Sequence, residues 1–144
     1  MEPLEKILEL WKEDSVIDQT EPSRELLRIP VLHSKYIDLL AHYKMASKKS
    51  HFQFLELKRK KWEYYTGKLS KDELDELGWE PFPFTLKSDI QIYLESDKDL
   101  ITITKKKAIN DEVVSVIESI LGELKQRTWQ LKEYINWEKF VSGG

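Results

Sequence analysis

The sequence predicts a mostly all-α fold built as an elongated helical subunit, and three observations support this. Glycine and proline are scarce, five of each in 144 residues. Lys, Glu, Leu and Ile dominate, which favours helix. Apolar residues also recur at helical spacing near both ends of the chain. Charged residues make up 34% and apolar residues 40%. That balance suits a helical protein that completes its burial by association.

The elements follow in order. Leu4, Ile7, Leu8 and Trp11 share one helical face, so residues 4–13 read as a short amphipathic helix ended by Asp14-Ser15. Asp18 or Thr20 can cap the next helix, with Pro22 in its first turn, and Pro30 kinks or restarts it. A long helix then runs from about Val31 to Tyr65 and carries the apolar set Leu32, Tyr36, Leu39, Leu40, Tyr43, Ala46, Phe54 and Leu57, with Trp62 a further candidate for it. Its stretch from Met45 to Gln53 is polar and reads as exposed, and Thr66-Gly67 supplies the stop. Ser70 caps a short acidic helix to Leu77. Trp79 to Phe84 form an ordered connector rich in proline and aromatics, and Ser88 caps a turn through Leu94. Asp97 is a cap for Lys98 to Lys107, although Leu100-Ile101-Thr102-Ile103-Thr104 is β-prone, so a short strand near 100–104 is the exception to the all-α reading. Asn110 is expected to cap the last helix, with Asp111 and Glu112 complementing its dipole.

That last helix carries Val113, Ile117, Ile120, Leu124, Arg127, Leu131 and Tyr134 at alternating steps of 4 and 3. A heptad stripe marks a helix–helix seam, interrupted by Arg127 as a polar specificity position. Such a stripe serves either as intrachain core or as an oligomer seam. The polar middle of the long helix leaves little to cover both faces, which favours association through Val113, Ile117, Ile120, Leu124, Leu131 and Tyr134. The chain thus reads as one domain over 1–144. Residues 1–67 form N-terminal helices with a basic strip, 68–109 an acidic helix and aromatic connector, and 110–144 a C-terminal oligomerisation helix.

Several function classes find no support. Three histidines, His33, His42 and His51, step by nine residues, so His42 points away from the others. Those two lie about two dozen ångström apart along a continuous helix and share no ion. Asp72, Glu73, Asp75 and Glu76 form a solvated acidic face or a contact for a basic partner, since no histidine or glycine-rich loop accompanies them. No phosphate-binding loop, serine-nucleophile elbow or zinc-protease motif occurs. The chain reads as a non-enzyme with no cofactor and no metal. It lacks cysteine, and no apolar run approaches membrane-spanning length. Its start has neither the basic residues nor the apolar stretch of a signal peptide.

The net charge of −3 hides a local basic region. Eight cations lie between Lys35 and Lys61 against Asp38 and Glu56, while nine carboxylates face three lysines from Lys71 to Asp99. The basic run Lys58, Arg59, Lys60 and Lys61 leads directly into Trp62, Tyr64 and Tyr65. Cations neutralise phosphates and aromatic faces stack bases, which is the chemistry single-stranded nucleic acid requires. Lys44 and Lys48 extend the strip. The alternative is a solvated helix end, with cations complementing the C-terminal dipole and tyrosines in the core. Whether Tyr64 or Tyr65 stacks on bases or packs inside stays open at this level.

Read together, Asp14-x-x-Ile17-Asp18-x-Thr20, Leu32-His33-Ser34-Lys35-Tyr36, the basic run into Tyr64-Tyr65-Thr66-Gly67, Ser96-Asp97-Lys98-Asp99, and Leu121 to Lys132 with Lys125, Arg127 and Trp129 form a collinear set. This set resembles the UvsY family, recombination mediators of T-even-like bacteriophages. The resemblance implies a small non-enzymatic protein in the cytoplasm of the infected bacterial host. It implies binding of single-stranded DNA and a ring-like homo-oligomer, a hexamer or heptamer, assembled through the C-terminal part. It further implies that the protein helps load the phage recombinase onto DNA coated by the phage single-strand-binding protein. The family's Lys-x-Arg element falls on Arg59 and Lys61 in swapped order, and Trp62 stands where the family has an aliphatic residue. The connector from Trp79 departs from the family pattern, so nothing carries over there. The rival function is a helical scaffold or adaptor whose basic strip binds an acidic protein partner, with no nucleic-acid role.

Overall fold

The computed structural model describes residues 2–83 and 86–143; Phe84, the end of the expected connector, lies outside the described residues. The described residues form α1 (Pro3–Asp14), α2 (Pro22–Tyr65), α3 (Lys71–Leu77), a 3-10 turn (Lys87–Asp89), α4 (Ile90–Glu95) and α5 (Lys98–Val141). No strand occurs among them. The chain divides into two compact units, Met1–Ala46 with Ile109–Gly144, and Ser47–Ala108.

In the first unit, Ile7 of α1, Ile29, Leu32 and Tyr36 of α2, and Val113, Ile117, Ile120, Leu124 and Leu131 of α5 form one core. The heptad stripe is therefore covered by the chain's own α1 and α2. Five of its six proposed seam residues are buried, and only Tyr134 stays on the surface. The expected interface role for those five gives way to an intrachain one, because Tyr36, Leu32 and Ile29 supply the apolar cover that the polar middle of α2 lacks. A polar lock closes this unit. Asp14 accepts hydrogen bonds from Lys35 at 2.7 Å and from the Tyr36 hydroxyl at 2.9 Å. Burial acts to raise the Asp14 carboxyl, but the bonds from Lys35 and Tyr36 outweigh it and hold the group below its ordinary range. Arg28 donates to the carbonyls of Asp14 and Val16, each at 3.0 Å, and so satisfies the end of α1.

Three boundaries differ from expectation. Pro30 does not restart a helix; it sits inside the 44-residue α2 on the exposed side. The carbonyl that its missing N–H leaves unbonded can be hydrated there, which lowers the cost of an interior proline. Asp18 bonds the Thr20 amide and hydroxyl and closes a turn ahead of α2 instead of capping it. Residues 100–104 are helical, not a strand, and α5 begins at Lys98, so Asn110 lies within the helix and is buried. The Asp97 cap and the burial of Leu100 override the β propensity of that stretch.

In the second unit, Ile90 and Leu94 of α4 and Leu100 of α5 pack with Phe54, Leu57 and Tyr65 of α2. Gly67, at φ +73°, ends α2 as expected: the Lys68 amide reaches the Glu63 carbonyl and the Gly67 amide reaches that of Tyr64. Ser70 and Glu73 form a reciprocal capping box on α3. Among the described residues, no helix is long and apolar enough to cross a membrane.

Candidate nucleic-acid interface

The basic run lies on the last turns of α2, and the helix sorts its four cations by direction. Lys58 and Arg59 are exposed and Lys60 is half-buried. Lys61 is buried. Its ammonium lies 2.7 Å from Oδ2 of Asp99 and 3.2 Å from Oδ2 of Asp97, and 4.1 Å from the centre of the Trp79 ring. A cation so enclosed by two carboxylates and an aromatic face is not available to a phosphate.

Tyr64 and Tyr65 are committed to the same interior. The Tyr64 hydroxyl donates to the Glu80 carbonyl at 2.6 Å, and its ring packs on Tyr65, Trp79 and Phe82. Tyr65 donates to Oδ2 of Asp97 at 2.6 Å and packs against Phe82 and Tyr93. Burial, reinforced by the Asp97 carboxylate, raises the Tyr65 hydroxyl well above its ordinary range. Burial also acts to raise Asp97, but hydrogen bonds from Tyr65, the Leu100 amide and Lys61 prevail and lower it. The connector at Trp79 and Phe82 is thereby explained as the outer wall of this aromatic cluster.

The surface of α2 carries a second pattern that the sequence reading missed. Lys48, Phe52, Leu55, Arg59 and Trp62 step by 4, 3, 4 and 3 and lie on one helical face. All five are exposed: Phe52 by 61%, Leu55 by 48% and Trp62 by 40%, with the Arg59 side chain at 83%. The spacing is visible in the sequence, but only the burial of the other faces of α2 shows that these five residues share an exposed one. Two aromatics alternate with two cations over about 21 Å of helix between Lys48 and Trp62. Lys68 holds its ammonium 4.0 Å from the centre of the Trp62 ring, adding a further cation beside it. Among the described residues, the ion pair of Arg59 is a 3.4 Å contact with Glu63, made from a largely exposed guanidinium and easily exchanged for a phosphate. Lys44 is also exposed on α2 but belongs to the first unit.

Two of the sequence segments singled out above meet in each unit. Asp14 is joined to Lys35 and Tyr36, and Asp97 and Asp99 are joined to Lys61 and Tyr65. Those segments thus carry the polar locks of the fold.

No curated protein sequence matches the chain. Two crystal structures of the recombination mediator protein UvsY of bacteriophage T4 are similar to it, each with a TM-score of 0.81. One is 20% identical and covers 95% of this chain and 98% of that chain; the other is 22% identical and covers 96% and 97%. At that identity the likeness establishes the helical fold. A family model described as the recombination, repair and ssDNA binding protein UvsY matches residues 10–144. A match spanning both polar locks and the whole basic face of α2 settles membership: the chain belongs to the UvsY family.

Proposed function

We propose that this protein is a non-enzymatic recombination mediator that binds single-stranded DNA through the exposed face of α2 and helps load a phage recombinase onto strands coated by single-strand-binding protein. The observation that carries the reading is the alternation of Lys48, Phe52, Leu55, Arg59 and Trp62 on one exposed helical face. Lys58 and Lys60 flank it. Cations take phosphates while Phe52 and Trp62 offer faces for bases. Lys61, Tyr64 and Tyr65 support this face from inside, by fixing the end of α2.

Self-association would multiply a weak site. Trp129, Trp137, Phe140 and Val141 are each more than 60% exposed near the end of α5, a surface suited to a second copy. Linked weak sites gain avidity without a strong site in any one subunit. A strand held at several points can be drawn from its coat protein and presented to a recombinase.

A labelled oligonucleotide titrated at several salt concentrations, with no other protein present, tests the first step. Binding that weakens steeply with salt supports the reading, and no binding at low salt removes it in favour of an adaptor for an acidic protein. Loading is tested by recombinase filament formation on coated strands, with and without the protein.

A further inference from the structure

Arg127 is only 7% exposed, and its Nε and Nη1 are buried without a hydrogen-bond partner. Its guanidinium lies 5.3 Å from the centre of the Trp11 ring, and no ion pair to it occurs among the described residues. Arginine does not discharge by losing its proton, so this is a buried cation with its donor fork unfilled. An aromatic face offsets a small part of that cost. The rest calls for an anion.

A cavity of about 260 Å³ adjoins it, lined by Arg127 with Ile17, Gln19, Pro22, Gln130, Leu131 and Tyr134. This lining holds a guanidinium, two amides and a phenol, but no carboxylate. We propose that this cavity receives the carboxylate of an aspartate or glutamate from a second copy of this chain. The planar fork of Arg127 matches a carboxylate with two parallel bonds. Ile17, Pro22 and Leu131 suit the methylene stem that carries it.

The surroundings favour a protein side chain over a nucleic-acid phosphate. An adjoining, wider hollow is lined by Pro22, Ile135, Trp137 and Val141 together with Glu138 and Lys139, so it is largely apolar and offers no run of cations to a phosphate backbone. The cavity shares Pro22 and Tyr134 with that hollow. It therefore opens onto the exposed apolar surface at the end of α5. A second copy covers that surface and, being acidic overall with 26 carboxylates against 23 cations, supplies the missing charge. Such a contact joins two different patches, so it can repeat from copy to copy and closes into a ring where its rotation allows. The inference rests on the self-association proposed above.

The test is sedimentation of the full chain over a dilution series, with helicity followed in parallel. Wild type is expected to form a multi-subunit species. Arg127→Met removes the charge but keeps the bulk, and should weaken self-association by roughly tenfold or more while helicity is kept. Arg127→Lys should fall between, because an ammonium lacks the fork. Self-association of Arg127→Met equal to wild type overturns the proposal and leaves the ring intact. A purely internal role for Arg127 predicts a lower melting temperature with association unchanged, which also overturns it. So does a reduced salt slope of oligonucleotide binding with association unchanged, since the occupant is then a phosphate. If Arg127→Met loses helicity, Arg127→Lys decides, and association equal to wild type is again the overturning result. A wild type that is monomeric at every concentration removes the self-association reading itself, and the proposal with it.

Discussion

Lys61 and Asp97 form a 3.2 Å ion pair whose side chains are 7% and 3% exposed. A lysine in the middle of a basic run is thus a structural residue, while its neighbours Lys58 and Arg59 face solvent. Lys61→Met should destabilise the protein by about 3 kcal/mol, since it leaves a buried carboxylate short of its cation. Urea unfolding measures this. A stability equal to wild type would mean that the pair contributes nothing net.

Lys58→Ala with Arg59→Ala should behave in the opposite way. Both side chains are exposed, so helicity and melting should stay near wild type. Binding of single-stranded DNA should weaken at low salt, and the slope of log K against log salt should shrink by about 1.4, because two phosphate contacts are lost. An unchanged slope in the folded variant removes these residues from the interface.

Phe52→Ala and Trp62→Ala should each cost roughly 1–3 kcal/mol of oligonucleotide affinity while the salt slope stays constant. Stacking involves no counterion release, so the two classes of contact separate in one titration. If both variants bind as wild type does, the aromatic part of the α2 face has another use.

Leu124 is fully buried in the first unit's core. Leu124→Ala should lower the stability by about 2–5 kcal/mol through lost burial and the cavity left behind. The loss should persist at dilutions where subunits are separate, because the residue packs within its own chain. A loss that appears only in the assembled form would return Leu124 to an interface.

Stability should be flat through neutral pH and fall at both extremes. Asp14 and Asp97 have folded pKa values below the ordinary 3.8. Their contribution is fully present above 3.8 and is lost as pH falls through the folded values. Tyr36 and Tyr65 are raised above the ordinary 10.0. Theirs is full below 10.0 and is lost as pH rises through the folded values. Urea unfolding midpoints across the pH range test this. Tyr65→Phe should flatten part of the alkaline fall, and an unchanged alkaline limb would argue against the Tyr65–Asp97 bond.

Local signals proved readable where the deciding chemistry is local. The Ser70 capping box, the Gly67 stop and the spacing from Val113 to Leu131 each depend on neighbours within a few residues or on one helical face. The signals that misled were also local, but distant contacts overruled them. Leu100 to Thr104 look β-prone until Leu100 is buried against α2 and α4. Asn110 looks like a cap until the helix is seen to start twelve residues earlier, at Lys98. At the site, the density of cations located the basic run, but nothing in the run shows that Lys61 faces inward. Its partners Asp97 and Asp99 lie more than thirty residues away in the chain. The exposed aromatics Phe52 and Trp62 could be recognised only once the buried faces of α2 were known.

Asp97 has a double attachment with a dynamic consequence. Its Oδ1 accepts from the Leu100 amide in the first turn of α5, while its Oδ2 accepts from Tyr65 and lies against Lys61. Helix ends ordinarily fray on their own, and their amides exchange with solvent quickly. Here the first turn of α5 cannot open without releasing two side chains of α2 and uncovering a carboxylate. The Leu100 amide should therefore exchange as slowly as those in the middle of a helix, through a concerted opening of the second unit, making this terminus one of its most protected points.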